Sequence, residues 1–171
     1  AGNTAHYGGA ISIGRSDVTL TNCTVAGNRA VGTSAYGGGM WVYSGTVCLR
    51  NSIVAANTAA TLGPDVSGRV ASTSSRSFVG TLAGLSGIVD GVNGNVIGGG
   101  DPRFVRSPSA GPDGQWGTAD DDYGDLQLQA DSPCVDTGSN ALAVDADGDP
   151  LTVDLLGHAR IVNEVVDMGA Y

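Results

Sequence analysis

"NCTVAGNRA", residues 22–30, returns in altered form as "NSIVAANTA" at residues 51–59. The same shift of 29 residues lays Gly8-Gly9 on Gly37-Gly38, Val18 on Val47, Leu20 on Leu49, and Arg29-Ala30 on Thr58-Ala59. Independent matches at one offset identify a structural repeat, which outranks any local reading of the chain. Between the matched points Val18, Leu20 and Val25 alternate with Thr and Ser, the pattern of half-buried strands. A unit made of short strands with Gly-Gly and Asn at fixed corners cannot bury its apolar face alone. Stacking each unit on the next supplies the missing neighbours. The expected fold is therefore all-β: a parallel β-helix, with Asn22 above Asn51 at a corner, each left-handed and bonded to its equivalent through the side-chain amide.

Composition agrees. The chain has 171 residues, enough for one domain with a continuous core, and 28 of them are glycine. Hydrophobic residues make up 41% and aromatic residues only 5%, so small aliphatic side chains must fill that core. Eight arginines, no lysine, sixteen aspartates and one glutamate give a net charge of −9, which argues against a nucleic-acid partner. Aspartate in place of glutamate points to turns and cation sites rather than helix surfaces. No apolar run approaches the roughly 20 residues of a membrane-spanning helix.

The period blurs after residue 60, although 65–80 and 87–105 still read as two further coils. The β-helix is expected over 1–105, followed by loops and a capping segment over 106–171 that covers the last open coil. Within that segment 107–125 reads as a loop, 126–138 as a strand and turn, 144–154 as a second acidic loop, and "ARIVNEVVDMGAY" as a hairpin-like close.

"YGGG" with "VCLRNSIVAANTA" resembles the right-handed parallel β-helix repeats of secreted bacterial proteins. "DPRF", "GPDGQWGTADDD", "LQLQADSPCVDTG", "DADGDP" and "VDMGAY" resemble, in that order, the C-terminal part of choice-of-anchor Q domain proteins. The resemblance covers nearly the whole chain, with "SFVG" departing from the more usual "NLIG". It implies a secreted or cell-surface location, an excised part of a larger bacterial protein, and no reaction.

Asp113, Asp120, Asp121 and Asp122, with Gly114 and Gly117 between them, form a candidate calcium loop. Asp145, Asp147 and Asp149 alternate as calcium ligands do, but the glycine falls at Gly148 and Leu156 stands where an EF-hand has glutamate. His6 and His158 lie too far apart in the chain to suggest zinc, and no "GxSxG" elbow is present. Cys23 matches Ser52 and Cys48 matches Thr19, so stacking offers no disulfide between them. Asp136 and Asp167 are expected to tie the cap together, with backbone donors or Arg160 as partner. Trp41 matches Ser12, so no aromatic ladder is expected. The reading is a structural or adhesin-like segment touching carbohydrate or another surface protein. The alternative is a fragment of a polysaccharide-degrading enzyme, pectate-lyase-like or a glycoside hydrolase.

Overall fold

The computed structural model describes residues 1–171. Its strands are β1 (Thr4–Ala5), β2 (Ile11–Thr21), β3 (Thr24–Ala26), β4 (Arg29–Ala30), β5 (Met40–Arg50), β6 (Ile53–Ala55), β7 (Thr58–Ala59), β8 (Val66–Arg69), β9 (Phe78–Val79), β10 (Leu85–Ser86), β11 (Val96–Ile97), β12 (Phe104–Arg106) and β13 (Asp125–Leu128). They form three parallel sheets, ordered β1-β4-β7, β2-β5-β8-β10 and β3-β6-β9-β11, and the antiparallel pair β12-β13. The protein is all-β.

The repeat seen in the sequence is the register of these sheets. Val18 pairs with Val47 and Leu20 with Leu49, Val25 with Val54, and Arg29-Ala30 with Thr58-Ala59. Later repeats are shorter. Equivalent side chains stand 29 residues apart at Cys23 and Ser52, 25 apart at Ser52 and Ser77, and 18 apart at Ser77 and Asn95. The shortening falls mainly on one sheet, where β5 has eleven residues and β8 four. A fixed-offset comparison therefore loses the period while the backbone keeps stacking.

Small aliphatic side chains fill the space between the sheets. Met40, Val42, Val47 and Leu49 of β5 point inward with Val54, Val66, Val70 and Val79. Burying each side chain of this size stabilises the fold by about 1.5–3 kcal/mol. Glycine allows the repeats to approach closely at one corner: a Cβ on Gly9 would collide with the carbonyl oxygen of Gly38.

The β3-β6-β9 sheet is buried on both faces, and here the structure departs from expectation. Ala26, Ile53, Ala55 and Phe78 face away from the inner core and pack against Phe104, Cys134 and Met168. The C-terminal segment therefore doubles back along the flank of this sheet as far as the first repeats, rather than only covering the end beyond β11. Its docking is polar at the edges: Gly169 N–H donates to Asn51 O at 2.7 Å, and Ala170 N–H to Thr24 Oγ1 at 3.0 Å. Gly169, at φ 97°, lies so close that a Cβ there would sit 2.7 Å from Thr24 Oγ1 and 3.0 Å from Ile53 Cδ1. No strand pairing joins the apolar runs of 159–171 into a hairpin. Those residues are irregular, with Val162 and Val165 exposed and Arg160 buried.

Side-chain ladders hold the corners. Asn22 and Asn51 are left-handed, at φ 53° and 45°, and Asn51 Nδ2 donates to Asn22 Oδ1 at 3.1 Å. A second ladder runs Asn3, Asn28, Asn57. In it the backbone N–H and the amide of each residue donate to the side-chain oxygen of the next. Asp65 ends it, its Oδ1 accepting from Asn57 N and Nδ2 at 3.2 and 3.0 Å. Each rung satisfies buried polar groups that would otherwise cost about 1–3 kcal/mol apiece.

Candidate functional site

Four of the predicted calcium ligands lie together on the 107–125 loop, and most of their oxygens are already used within it. Asp113 Oδ1 accepts from Gln115 N, Asp120 accepts from Thr118 Oγ1 and Asp113 N, and Asp121 Oδ2 accepts from Gly117 N and Thr118 N. Asp122 is committed to Arg106, whose Nε lies 2.6 Å from its Oδ2; that bond, with one from Gly124 N, holds its carboxyl below the usual carboxylate range. Asp121 Oδ1 is buried without a partner. In the second loop Asp145 Oδ1 accepts from Asp147 N and Asp149 N, while all three residues remain exposed. No three acidic side chains converge as a ready-made cluster around one point.

The 107–125 loop lies against β1-β4-β7. The Arg29 guanidinium donates to Gly114 O, and Trp116 stacks on Tyr123 at 5.6 Å over Gly2. Between loop and sheet is a cleft of about 460 Å³ floored by Ala30, Ala56 and Ala59 and walled by Pro108 and Trp116.

The cap contains a smaller hollow of about 230 Å³ lined in part by Asp136, Asp154, His158 and Asp167. Asp167 Oδ1 accepts from Asp136 N at 2.7 Å, and burial pushes its pKa up. His158 Nδ1 lies 3.5 Å from Asp154 Oδ2. Arg160 pairs with neither Asp136 nor Asp167; it donates instead to three main-chain carbonyls of the tail.

The outer face of β2-β5-β8 holds what sequence reasoning missed. Trp41 stacks on Tyr7 at 4.4 Å, Tyr7 on Tyr36 at 6.1 Å with rings 6° from parallel, and Tyr43 leans on Trp41 at 5.2 Å. An aromatic cluster thus exists where none was expected, with Tyr43 70% exposed. The signal was in the sequence: Tyr7 and Tyr36 obey the same 29-residue shift and bridge each other in parallel. Trp41 joins from the next sheet, a neighbour that matching it to Ser12 could not reveal. Farther along the same face a groove of about 430 Å³ is lined by Asp17, Thr19, Thr46, Cys48, Arg50 and Arg69, among others.

All three cysteines are free, and Cys23 and Cys134 are unsuited to nucleophilic work. Burial pushes the Cys134 thiol up to about 12 and raises that of Cys23 as well, keeping both protonated at neutral pH.

Asp65 supplies a prediction. Burial raises its pKa, partly offset by the Asn57 bonds and by the nearby Thr81. Asp65 Oδ2 and Thr81 Oγ1 are both buried without partners. A carboxyl raised in the fold adds stability below its unfolded pKa of about 3.9 and loses it as pH rises through the folded value. Asp65→Asn should therefore raise Tm by a few degrees at pH 7 and flatten the Tm profile above pH 4. Asp65→Ala should cost about 2–3 kcal/mol by stranding the donors of Asn57. Thermal melts from pH 3 to 8 check both; an Asn variant melting below wild type at pH 7 would refute the assignment.

No known protein family, curated protein or solved structure matches the chain.

Proposed function

We propose that the chain is a right-handed parallel β-helix segment of a secreted or cell-surface bacterial protein, serving as a rigid, non-catalytic scaffold that presents its long-sheet face for adhesion. The observation that carries this reading is the stacking of successive repeats in three parallel sheets, with two of the corners held by side-chain ladders. Such a quasi-one-dimensional stack resists bending and offers an extended face built on rigid strands. The likeness to choice-of-anchor Q domain proteins supports the location.

An enzyme fragment is the second reading, favoured by the cap hollow with Asp136, Asp167 and His158. Incubation with polygalacturonate and with neutral glucans, monitored for reducing ends and unsaturated products, separates the two. The scaffold gives no turnover. Product release that disappears in Asp167→Asn would establish the enzyme instead.

Calcium belongs to this proposal at the first acidic loop, with Asp121 as anchoring ligand because its Oδ1 is buried and unpartnered. A hundredfold excess of calcium over Kd should add about 2.7 kcal/mol to stability. The expected result is a higher Tm in calcium than in EDTA, with the response lost in Asp121→Asn. Equal melting in both conditions removes calcium from the reading.

A further inference from the structure

We propose that the groove on the outer face of β2-β5-β8 binds a carboxylate-bearing polysaccharide through Arg50 and Arg69. This deepens the scaffold reading and rests on it. The first observation is the distribution of charge. Residues 1–99 carry five arginines against Asp17, Asp65 and Asp90, and Asp65 is buried in its ladder. The remaining residues carry three arginines against fourteen acidic groups. Within residues 1–99, β2, β5 and β8 carry Arg15, Arg50 and Arg69 against Asp17, so a strongly acidic protein displays a locally cationic sheet.

The second observation is that two of these arginines, Arg50 and Arg69, are unengaged. All three ion pairs of the protein lie beyond residue 100, at Arg103, Arg106 and His158. Arg50 and Arg69 are exposed and line the groove of about 430 Å³. Strand register explains why Asp17 does not neutralise Arg69. Asp17 stands opposite Thr46 on β5, and the Val47–Val70 bridge places Arg69 beside Thr46 on the other side. Asp17 and Arg69 are therefore two strands apart, about 9.5 Å along the hydrogen-bonding direction, beyond ion-pair reach.

The third observation is what surrounds the charge. Thr19, Thr46 and Thr73 line the same groove with hydroxyls that can both donate and accept, as the hydroxyls of a sugar require. The guanidinium fork matches a carboxylate bidentately. Past Asp17 the groove meets a second hollow at Arg15 and Ser44, which leads to Tyr43 and Trp41. Their aromatic surface suits the apolar face of a pyranose ring. A long polyphosphate fits less well, because nucleic-acid affinity grows with the number of phosphates neutralised and the net charge here is −9.

The test titrates the whole chain with polygalacturonate, a neutral glucan of equal length, and a single-stranded oligodeoxythymidylate, at low and high salt. Turnover products are assayed in the same samples. The proposal expects binding to polygalacturonate alone, weakened by salt and at least tenfold weaker in Arg50→Ala/Arg69→Ala, whose Tm should match wild type because neither side chain is bonded to the fold. Absent binding, equal binding by the double variant, or tighter binding of the oligonucleotide overturns it. Product release overturns the scaffold reading instead, so the two failures are distinguishable.

Discussion

Replacing Asn51 by alanine should lower the stability of the whole protein by about 3–4 kcal/mol, a fall of roughly 10 °C in Tm for a domain of this size. Asn51 is completely buried, and its side chain makes three bonds: Nδ2 donates to Asn22 Oδ1 and to Ser139 O, and Oδ1 accepts from Ser139 N at 2.9 Å. Losing them strands part-buried main-chain groups of the flanking segment and buried polar surface at Asn51, at about 1–3 kcal/mol in all. Alanine must also hold φ near 45°, which costs about 1–2 kcal/mol for a residue with a Cβ and no local side-chain bond. Asn51→Gly removes the second cost and keeps the first, so it should recover about 1 kcal/mol of the loss. Urea melts of the two variants check this; equal stability would mean that the backbone conformation contributes nothing. Asn22→Ala should cost less, because Asn22 is only half-buried.

Arg160→Ala should be nearly as damaging, by about 3 kcal/mol, and its effect should be local. Arg160 is 4% exposed, and its guanidinium donates to Tyr171 O, Asp167 O and Gly169 O at 2.6–3.0 Å. Burial lowers its pKa, but the group stays charged at neutral pH, so it acts as a cation seated among carbonyl dipoles. A bond to a charged donor contributes about 1.5–3 kcal/mol net, and the three together are offset by the cost of burying the charge. Lysine has no fork to reach three acceptors, so Arg160→Lys should recover less than half of the loss. Hydrogen exchange would show the consequence in the amides that the tail covers, notably Leu155 and Met168, while β5 and β6 stay protected. Uniform loss of protection would contradict a local role.

The functional surfaces were only partly legible in the sequence. The acidic loops were visible as composition, but the fate of each oxygen was not. Asp122 was grouped with calcium ligands, and its bond from Arg106, sixteen residues away, was not legible. Asp121 was one carboxylate among four until its Oδ1 proved to be the buried one. The aromatic cluster and the arginine groove each join residues from neighbouring strands or sheets. Comparing single positions at one offset places Trp41 on Ser12, which is its correct strand partner, and says nothing of Tyr7 beside it.

The sequence by itself determined the parallel register, the corner asparagines and the inward positions of β2, β3, β5 and β6. Stacking repeats forces equivalent residues to the same place, so these facts are written as periodicity. What only the tertiary structure decided is the course of the last 66 residues, 106–171, which have no period to read. Their apolar contacts, Cys134 and Met168 on Ile53 and Phe78, are few and far apart in the chain. Their polar contacts are made by their own main-chain groups, such as Gly169 N on Asn51 O and Ser139 N on Asn51 Oδ1, which every residue type but proline carries alike. Main-chain hydrogen bonds leave no mark on composition or spacing, and so the flank on which this segment lies could be found only in three dimensions.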